Sequence, residues 1–62
     1  MDNNSIKTMD VNILLSLINT KLRDDYSSLD RLCEDMDVDK ELIIERLEKI
    51  DYHYDNDQNS FK

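Results

Sequence analysis

Apolar residues recur at the spacing of α-helices in three separate stretches of the chain. In the first stretch they occupy positions 11, 14, 15, 18 and 22. A second, shorter stretch repeats this spacing at positions 29, 32, 33 and 36, and a third does so at 43, 47 and 50. Because this period places side chains on one face of a helix, the pattern predicts helices over about 10–25, 28–36 and 39–50.

The residues between these stretches are ones that start helices and form turns. Asp10, Ser28 and Asp39 each precede a helical stretch, and their side-chain oxygens can accept hydrogen bonds from the free amides of a first helical turn. The chain contains no glycine and no proline, so its turns must be made by Asp, Asn and Ser. Asp37 is therefore expected to take a left-handed backbone conformation. The same absence excludes glycine-rich phosphate-binding loops.

The two ends of the chain lack the helical pattern. Residues 1–8 are mostly polar and predict a flexible leader, which leaves a single domain over 9–62. Residues 52–61 hold Tyr52, Tyr54 and Phe61 around the turn-forming run Asp-Asn-Asp-Gln, which predicts a β-hairpin packed on the helices through these aromatics. The alternative is a frayed polar tail. The predicted fold class is mainly α, a compact three-helix domain with a C-terminal β-hairpin.

Residues 29–47 resemble a helix-turn-helix unit. Cys33 stands where such units carry a small residue, Val38 where they carry a buried aliphatic side chain, and Asp39 where they carry a cap. Asp37 replaces the glycine that is common at the turn, which departs from the pattern. With a terminal hairpin the resemblance extends to winged helices, and it implies nucleic-acid binding as one function.

A second resemblance rests on four short runs. They are Asn-Thr-Lys-Leu-Arg-Asp at 19–24, Tyr-Ser-Ser-Leu-Asp at 26–30, Tyr-His-Tyr-Asp at 52–55 and Asn-Ser-Phe at 59–61. Together they resemble a short, uncharacterised bacterial family of unknown function over about 14–61. This resemblance implies a free-standing bacterial domain and carries no mechanism.

The charge of the chain argues against nucleic acid as a partner. The formal net charge is −7, from 15 acidic and 8 basic residues. No segment is basic, since residues 1–25, 26–38, 39–50 and 51–62 carry −1, −3, −1 and −2. Contacts of Lys and Arg with phosphates supply most non-specific affinity for nucleic acids, so the chain would approach DNA against net repulsion. Nucleic-acid contacts, if made, would come from Lys21, Arg23, Arg31 and Lys40.

Surplus aliphatic side chains favour a protein partner instead. Leu42 and Ile44 flank the inward position 43, and they either complete the core or form an interface. The leading hypothesis is a small, non-enzymatic, regulatory protein-interaction module that binds an unidentified protein or a second copy of itself. The alternative is a winged helix-turn-helix regulator that binds nucleic acid. The candidate interface comprises Ile13, Leu17, Glu41, Leu42, Ile44 and Glu45.

Groups that could carry chemistry are few. Cys33 is the only cysteine, which excludes an internal disulfide, favours the reducing cytoplasm, and fits a buried structural position on its apolar stripe. His53, the only histidine, lacks the ligand spacing of zinc sites, and Ser27 and Ser28 have no histidine at a catalytic spacing. The sequence predicts no catalytic residue, metal or cofactor. No apolar run approaches the roughly 20 residues of a membrane-spanning helix.

Overall fold

A computed structural model describes residues 1–62 as four α-helices followed by a two-stranded β-hairpin. The helices are α1 (Asn3–Thr8), α2 (Val11–Asp24), α3 (Leu29–Met36) and α4 (Lys40–Glu48). Strand β1 (Tyr54–Asp55) pairs antiparallel with β2 (Ser60–Phe61), so that Tyr54 lies opposite Phe61. The predicted class, mainly α with a C-terminal hairpin, is therefore confirmed. The resemblance of α3, α4 and their connecting turn to a helix-turn-helix unit stays a prediction.

The predicted caps and turns are present at the expected residues. Asp10, Ser28 and Asp39 each accept a hydrogen bond from a first-turn amide over 2.9–3.2 Å. In place of glycine, Asp and Asn occupy every left-handed backbone position, which these side chains tolerate better than others do. The left-handed residues are Asp37, Asp51 and Asn59, with φ of 56°, 62° and 50°.

The core is formed by one cluster of buried apolar side chains to which every helix contributes. The hairpin closes it at one side, because Phe61 is buried and the Tyr54 ring packs on it with centroids 5.5 Å apart. Tyr52, predicted to pack there too, is instead exposed. The cluster comprises Ile6, Leu14, Ile18, Leu22, Leu29, Leu32, Cys33, Val38, Ile43, Leu47 and Phe61.

The prediction of a flexible leader over 1–8 is wrong, because most of this segment forms α1. Asp2 caps the helix and accepts a hydrogen bond from the Ser5 amide over 2.8 Å. Ile6 is completely buried in the core. A six-residue helix with one buried side chain leaves no periodic pattern in the sequence. Its packing against α4, far along the chain, is what makes it part of the domain.

Candidate functional site

The predicted interface residues of α4 are divided between the core and the acidic surface. Leu42 and Ile44 are both half-buried and pack against the core cluster, so the structure favours the core over a free surface for these two. Glu41 and Glu45 are exposed and line a depression beside Ile44 together with Glu48. None of these three carboxylates forms an ion pair within the chain.

The predicted interface residues of α2 lie outside the core. Ile13 is 60% exposed, the most exposed large apolar side chain of the protein. Leu17, one helical turn further along, is half-buried and does not pack against the core cluster. Residues four apart are neighbours on a helix surface, so these two side chains form one small apolar patch. We call Ile13 and Leu17 the α2 patch. Neither side chain belongs to the core cluster or packs against it.

The predicted nucleic-acid contacts do not form a free basic surface. Lys21 lies 3.9 Å from Asp25, Arg23 makes a two-pronged pair with Asp24, and Lys40 bonds Asp30 over 2.8 Å. Hydrogen bonding to Asp24 raises the pKa of the Arg23 guanidinium, and hydrogen bonding to Asp30 raises the pKa of the Lys40 ammonium group. The fourth residue, Arg31, shares a depression with three carboxylates, those of Asp25, Glu34 and Asp35. Each cation therefore has acidic neighbours that offset its charge.

A network of polar side chains that the sequence analysis missed attaches the hairpin to α2. The Asn19 side chain donates to the Phe61 carbonyl over 3.1 Å and accepts from the Phe61 amide over 2.8 Å. An amide side chain thus takes the place of a neighbouring strand along the open edge of β2, where the backbone groups would otherwise be unpaired. This pairing covers an edge that could bind another strand.

Asn59 and Tyr54 extend this network to the ends of two helices. The Asn59 Nδ2 donates to the carbonyls of Leu22 and Tyr26 over 3.0 and 2.9 Å. The first is an acceptor that α2 leaves free in its last turn, and the second lies just beyond the helix. The Tyr54 hydroxyl donates to Asn59 Oδ1 over 2.6 Å and accepts from the Leu29 amide at the start of α3. Asn19, Tyr54 and Asn59 all belong to the short runs on which the family resemblance rests. The local sequence around each of them does not show that they contact one another or the helix ends.

The groups with chemical potential are separate from one another. His53 contacts Asp51 over 3.3 Å, and both side chains are exposed. The Tyr26 hydroxyl donates to Asp35 over 2.6 Å, which raises the pKa of the phenol. No cluster of three or more His, Cys, Asp or Glu side chains has the geometry to hold a metal ion. None of the helices combines the length and the apolar character that crossing a bilayer requires.

Cys33 is expected to resist modification while the protein is folded. The side chain is only 7% exposed, and burial, with the charge of Asp30 second, raises the pKa of its thiol. Because the thiolate is the reactive form, we expect a thiol reagent at neutral pH to modify the folded protein at least ~100-fold more slowly than the urea-unfolded chain. Reaction at the same rate in both states would contradict this burial. Free glutathione serves as the control for any effect of urea on the reagent.

These features define the class of the protein. It is a small acidic helical domain whose C-terminal hairpin is attached through asparagine side chains, with one apolar patch left on α2. The chain belongs to a family described as a domain of unknown function (DUF4250), whose model matches residues 8–61. The predicted membership of an uncharacterised family is thereby confirmed. No curated protein and no solved structure matches the chain.

Proposed function

We propose that the protein is a small interaction module that self-associates through the α2 patch. The observation that carries this proposal is the exposure of Ile13, a residue that is 60% exposed. It lies beside Leu17 on a helix whose other apolar residues pack in or against the core. Fully burying an exposed aliphatic side chain of this size is favourable by roughly 1.5–3 kcal/mol, and covering the exposed 60% of Ile13 would yield a corresponding part of that free energy. An adjacent pair of such side chains is a stronger sign of a partner than single exposed residues, which are common.

The charges on α2 favour a second copy as the occupant. Asp10, Ile13, Leu17 and Lys21 follow at intervals of three, four and four residues, and so lie along one helix face. The two charges and the two apolar residues share nearly the same midpoint, at the level of residues 15–16. A two-fold axis there would pack Ile13 of each copy against Leu17 of the other. It would also place Lys21 between its own Asp25, 3.9 Å away, and the partner's Asp10, whose Oδ1 caps α2 and whose Oδ2 makes no bond within the chain. Such a self-complementary patch is what a symmetric dimer requires.

The overall charge limits the strength of this dimer. Each copy carries −7, so the copies repel each other over distances that salt screens. One helix face also covers less area than the interfaces of tight complexes. We therefore expect a reversible dimer that is favoured by moderate salt and by high protein concentration, as suits a regulatory contact.

Sedimentation equilibrium of patch variants tests the proposal. Ile13→Asp or Leu17→Asp would place a carboxylate in the contact, and we expect the dimer Kd to rise at least ~10-fold, about 1.4 kcal/mol. Ser16→Asp is the matched control, because Ser16 is exposed on α2 but lies off the patch, and its Kd should change little. A wild-type chain that stays monomeric at millimolar concentration would refute self-association. So would equal effects of all three substitutions.

We place this function in the cytoplasm and assign it to binding rather than catalysis. The single unpaired, buried cysteine supports a reducing compartment. The separation of His53, Cys33 and Tyr26 supports a role without covalent chemistry. The alternative function, a nucleic-acid-binding regulator, has less support, because three of its four candidate cations are ion-paired within the chain. Salt-sensitive retention on DNA cellulose would favour that alternative, and none is expected.

A further inference from the structure

The two edges of the hairpin differ in how their backbone groups are satisfied. His53 and Lys62 exchange backbone hydrogen bonds across the hairpin over 3.1 and 3.0 Å. Bonded and non-bonded pairs alternate in an antiparallel ladder, so the next pair, Tyr54 and Phe61, directs its N–H and C=O groups outwards. The Asn19 side chain bonds both groups of Phe61, whereas Tyr54 makes hydrogen bonds only through its hydroxyl. The β2 edge is therefore closed and the β1 edge is open.

Residues of α3 and α4 extend the surface beside the open edge. Tyr54 lines a depression together with Ile44 and the ion pair between Lys40 and Asp30. Ile44 also lines the neighbouring depression that holds the unpaired carboxylates of α4, so the two depressions adjoin at this side chain. We call the combined surface the β1 trough. It is formed by Tyr54, Ile44, Glu41, Glu45 and Glu48.

We propose that the β1 trough binds an extended, basic segment of another protein as a third strand beside β1. The free N–H and C=O groups of an edge strand are the groups with which an added strand pairs. The added segment would place an aliphatic side chain against Ile44, whose other side packs on the core. Its Lys or Arg side chains would lie near the three glutamates, whose charges have no partner within the chain. Backbone bonds would supply affinity, and the side chains would supply selectivity.

The charge of the trough favours a basic partner over a second copy of the chain. Pairing of β1 with the β1 of another copy would bring the three glutamates of each trough towards those of the other, and each copy carries a net charge of −7. Like charges brought together at an interface are destabilising. A basic segment meets the same surface with attraction. The trough shares no residue with the α2 patch, so this inference does not rest on the proposed self-association.

Hydrogen exchange in the free protein tests whether the β1 edge is open. After correction for intrinsic rates, the Tyr54 amide should exchange at least ~10-fold faster than the Phe61 amide, which Asn19 bonds. Equal rates would remove the difference between the two edges and overturn the inference. Protection of the Tyr54 amide that grows with protein concentration would also overturn it, because a second copy would then be the occupant.

A peptide titration of the full-length, nitrogen-15-labelled chain tests strand addition. The probe is acetyl-Lys-Val-Lys-Val-Lys-Val-Lys-amide, which alternates basic and aliphatic side chains. At saturation, the Tyr54 amide should exchange at least ~10-fold more slowly, because it donates to the probe, and the Phe61 amide should change little. The same peptide, N-methylated at its internal residues, keeps its side chains and charge but cannot form a ladder. It should bind at least ~10-fold more weakly, and equal binding would overturn the inference.

A pair of charge reversals tests the role of the glutamates. Glu45 and Glu34 are both exposed, but Glu34 lies on α3 in a depression that shares no residue with the trough. At about 0.15 M salt, charges more than about 8 Å apart are largely screened. We therefore expect Glu45→Lys to raise the Kd of the probe at least ~5-fold and Glu34→Lys to raise it less than ~2-fold. Equal effects would mean that the probe responds to net charge alone, and would overturn the assigned surface.

Discussion

Replacing Asn59 by alanine is expected to lower the free energy of unfolding by about 2–4 kcal/mol. The side chain makes three partly buried hydrogen bonds, to two carbonyls near the end of α2 and to the Tyr54 hydroxyl. A typical bond of this kind contributes roughly 1 kcal/mol. Asn59 is also left-handed, with φ of 50°, a conformation that costs alanine about 1 kcal/mol more than asparagine or glycine. A urea titration followed by far-ultraviolet circular dichroism measures the loss.

Two companion variants separate the backbone effect from the side-chain effect at this position. Asn59→Gly keeps the left-handed conformation and loses the network, so we expect it to be more stable than Asn59→Ala by about 1 kcal/mol. Asn59→Asp keeps the acceptor for Tyr54 but turns an oxygen towards the carbonyls of Leu22 and Tyr26, so it should destabilise the fold despite its similar shape. If Asn59→Asp matched the wild type, the donors of this side chain would have no structural role.

This loss is large for a domain of this size. At roughly 0.05–0.15 kcal/mol per residue, a chain of 62 residues has a total stability of about 3–9 kcal/mol. The network around Asn59 joins the hairpin, α2 and α3, so its removal should also speed hydrogen exchange in the hairpin. Exchange that stays slow there would show that the burial of Phe61 and its two backbone bonds to Asn19 hold the hairpin in place without Asn59.

Replacing Ile18 by alanine is expected to destabilise the protein by about 2–5 kcal/mol. Ile18 is completely buried at the middle of α2, so its truncation removes apolar contact and leaves a cavity that a close-packed interior fills only in part. Given the small total stability, a large fraction of this variant should be unfolded without denaturant. The midpoint of thermal unfolding and the ellipticity at low temperature report this fraction.

Ile13→Ala is the matched control, with the same substitution on the same helix. Ile13 is 60% exposed, and alanine has a higher helix propensity than isoleucine, so the expected change in the monomer is below about 0.5 kcal/mol. The two variants are measured at low protein concentration, where the chain is monomeric. The difference between their losses of stability then reports the difference in burial between Ile18 and Ile13. A loss at Ile13 as large as that at Ile18 would mean that Ile13 is covered within the monomer, and it would remove the observation on which the proposed function rests.

The helices and their ends follow from the local sequence. The apolar stripe of α2, the caps at Asp10, Ser28 and Asp39, and the left-handed turn at Asp37 are all present where the sequence predicts them. Each of these features depends on residues within about one helical turn of one another, where spacing along the chain determines which groups can meet. The absence of glycine made the turn residues easier to recognise, because only Asp and Asn remained for left-handed positions.

The parts that were missed depend on residues far apart in the sequence. The bonds of Asn19 to Phe61, of Asn59 to Leu22 and of Arg46 to Ile6 join residues 42, 37 and 40 positions apart. The local periodicity of the sequence does not indicate contacts between residues so far apart. For this reason the sequence predicts a flexible leader where the structure has α1, and it does not predict the amide network. The tertiary packing also decided that Leu42 and Ile44 complete the core while Ile13 stays exposed. Residues of equal apolarity differ in this way because burial depends on which helix face other elements cover.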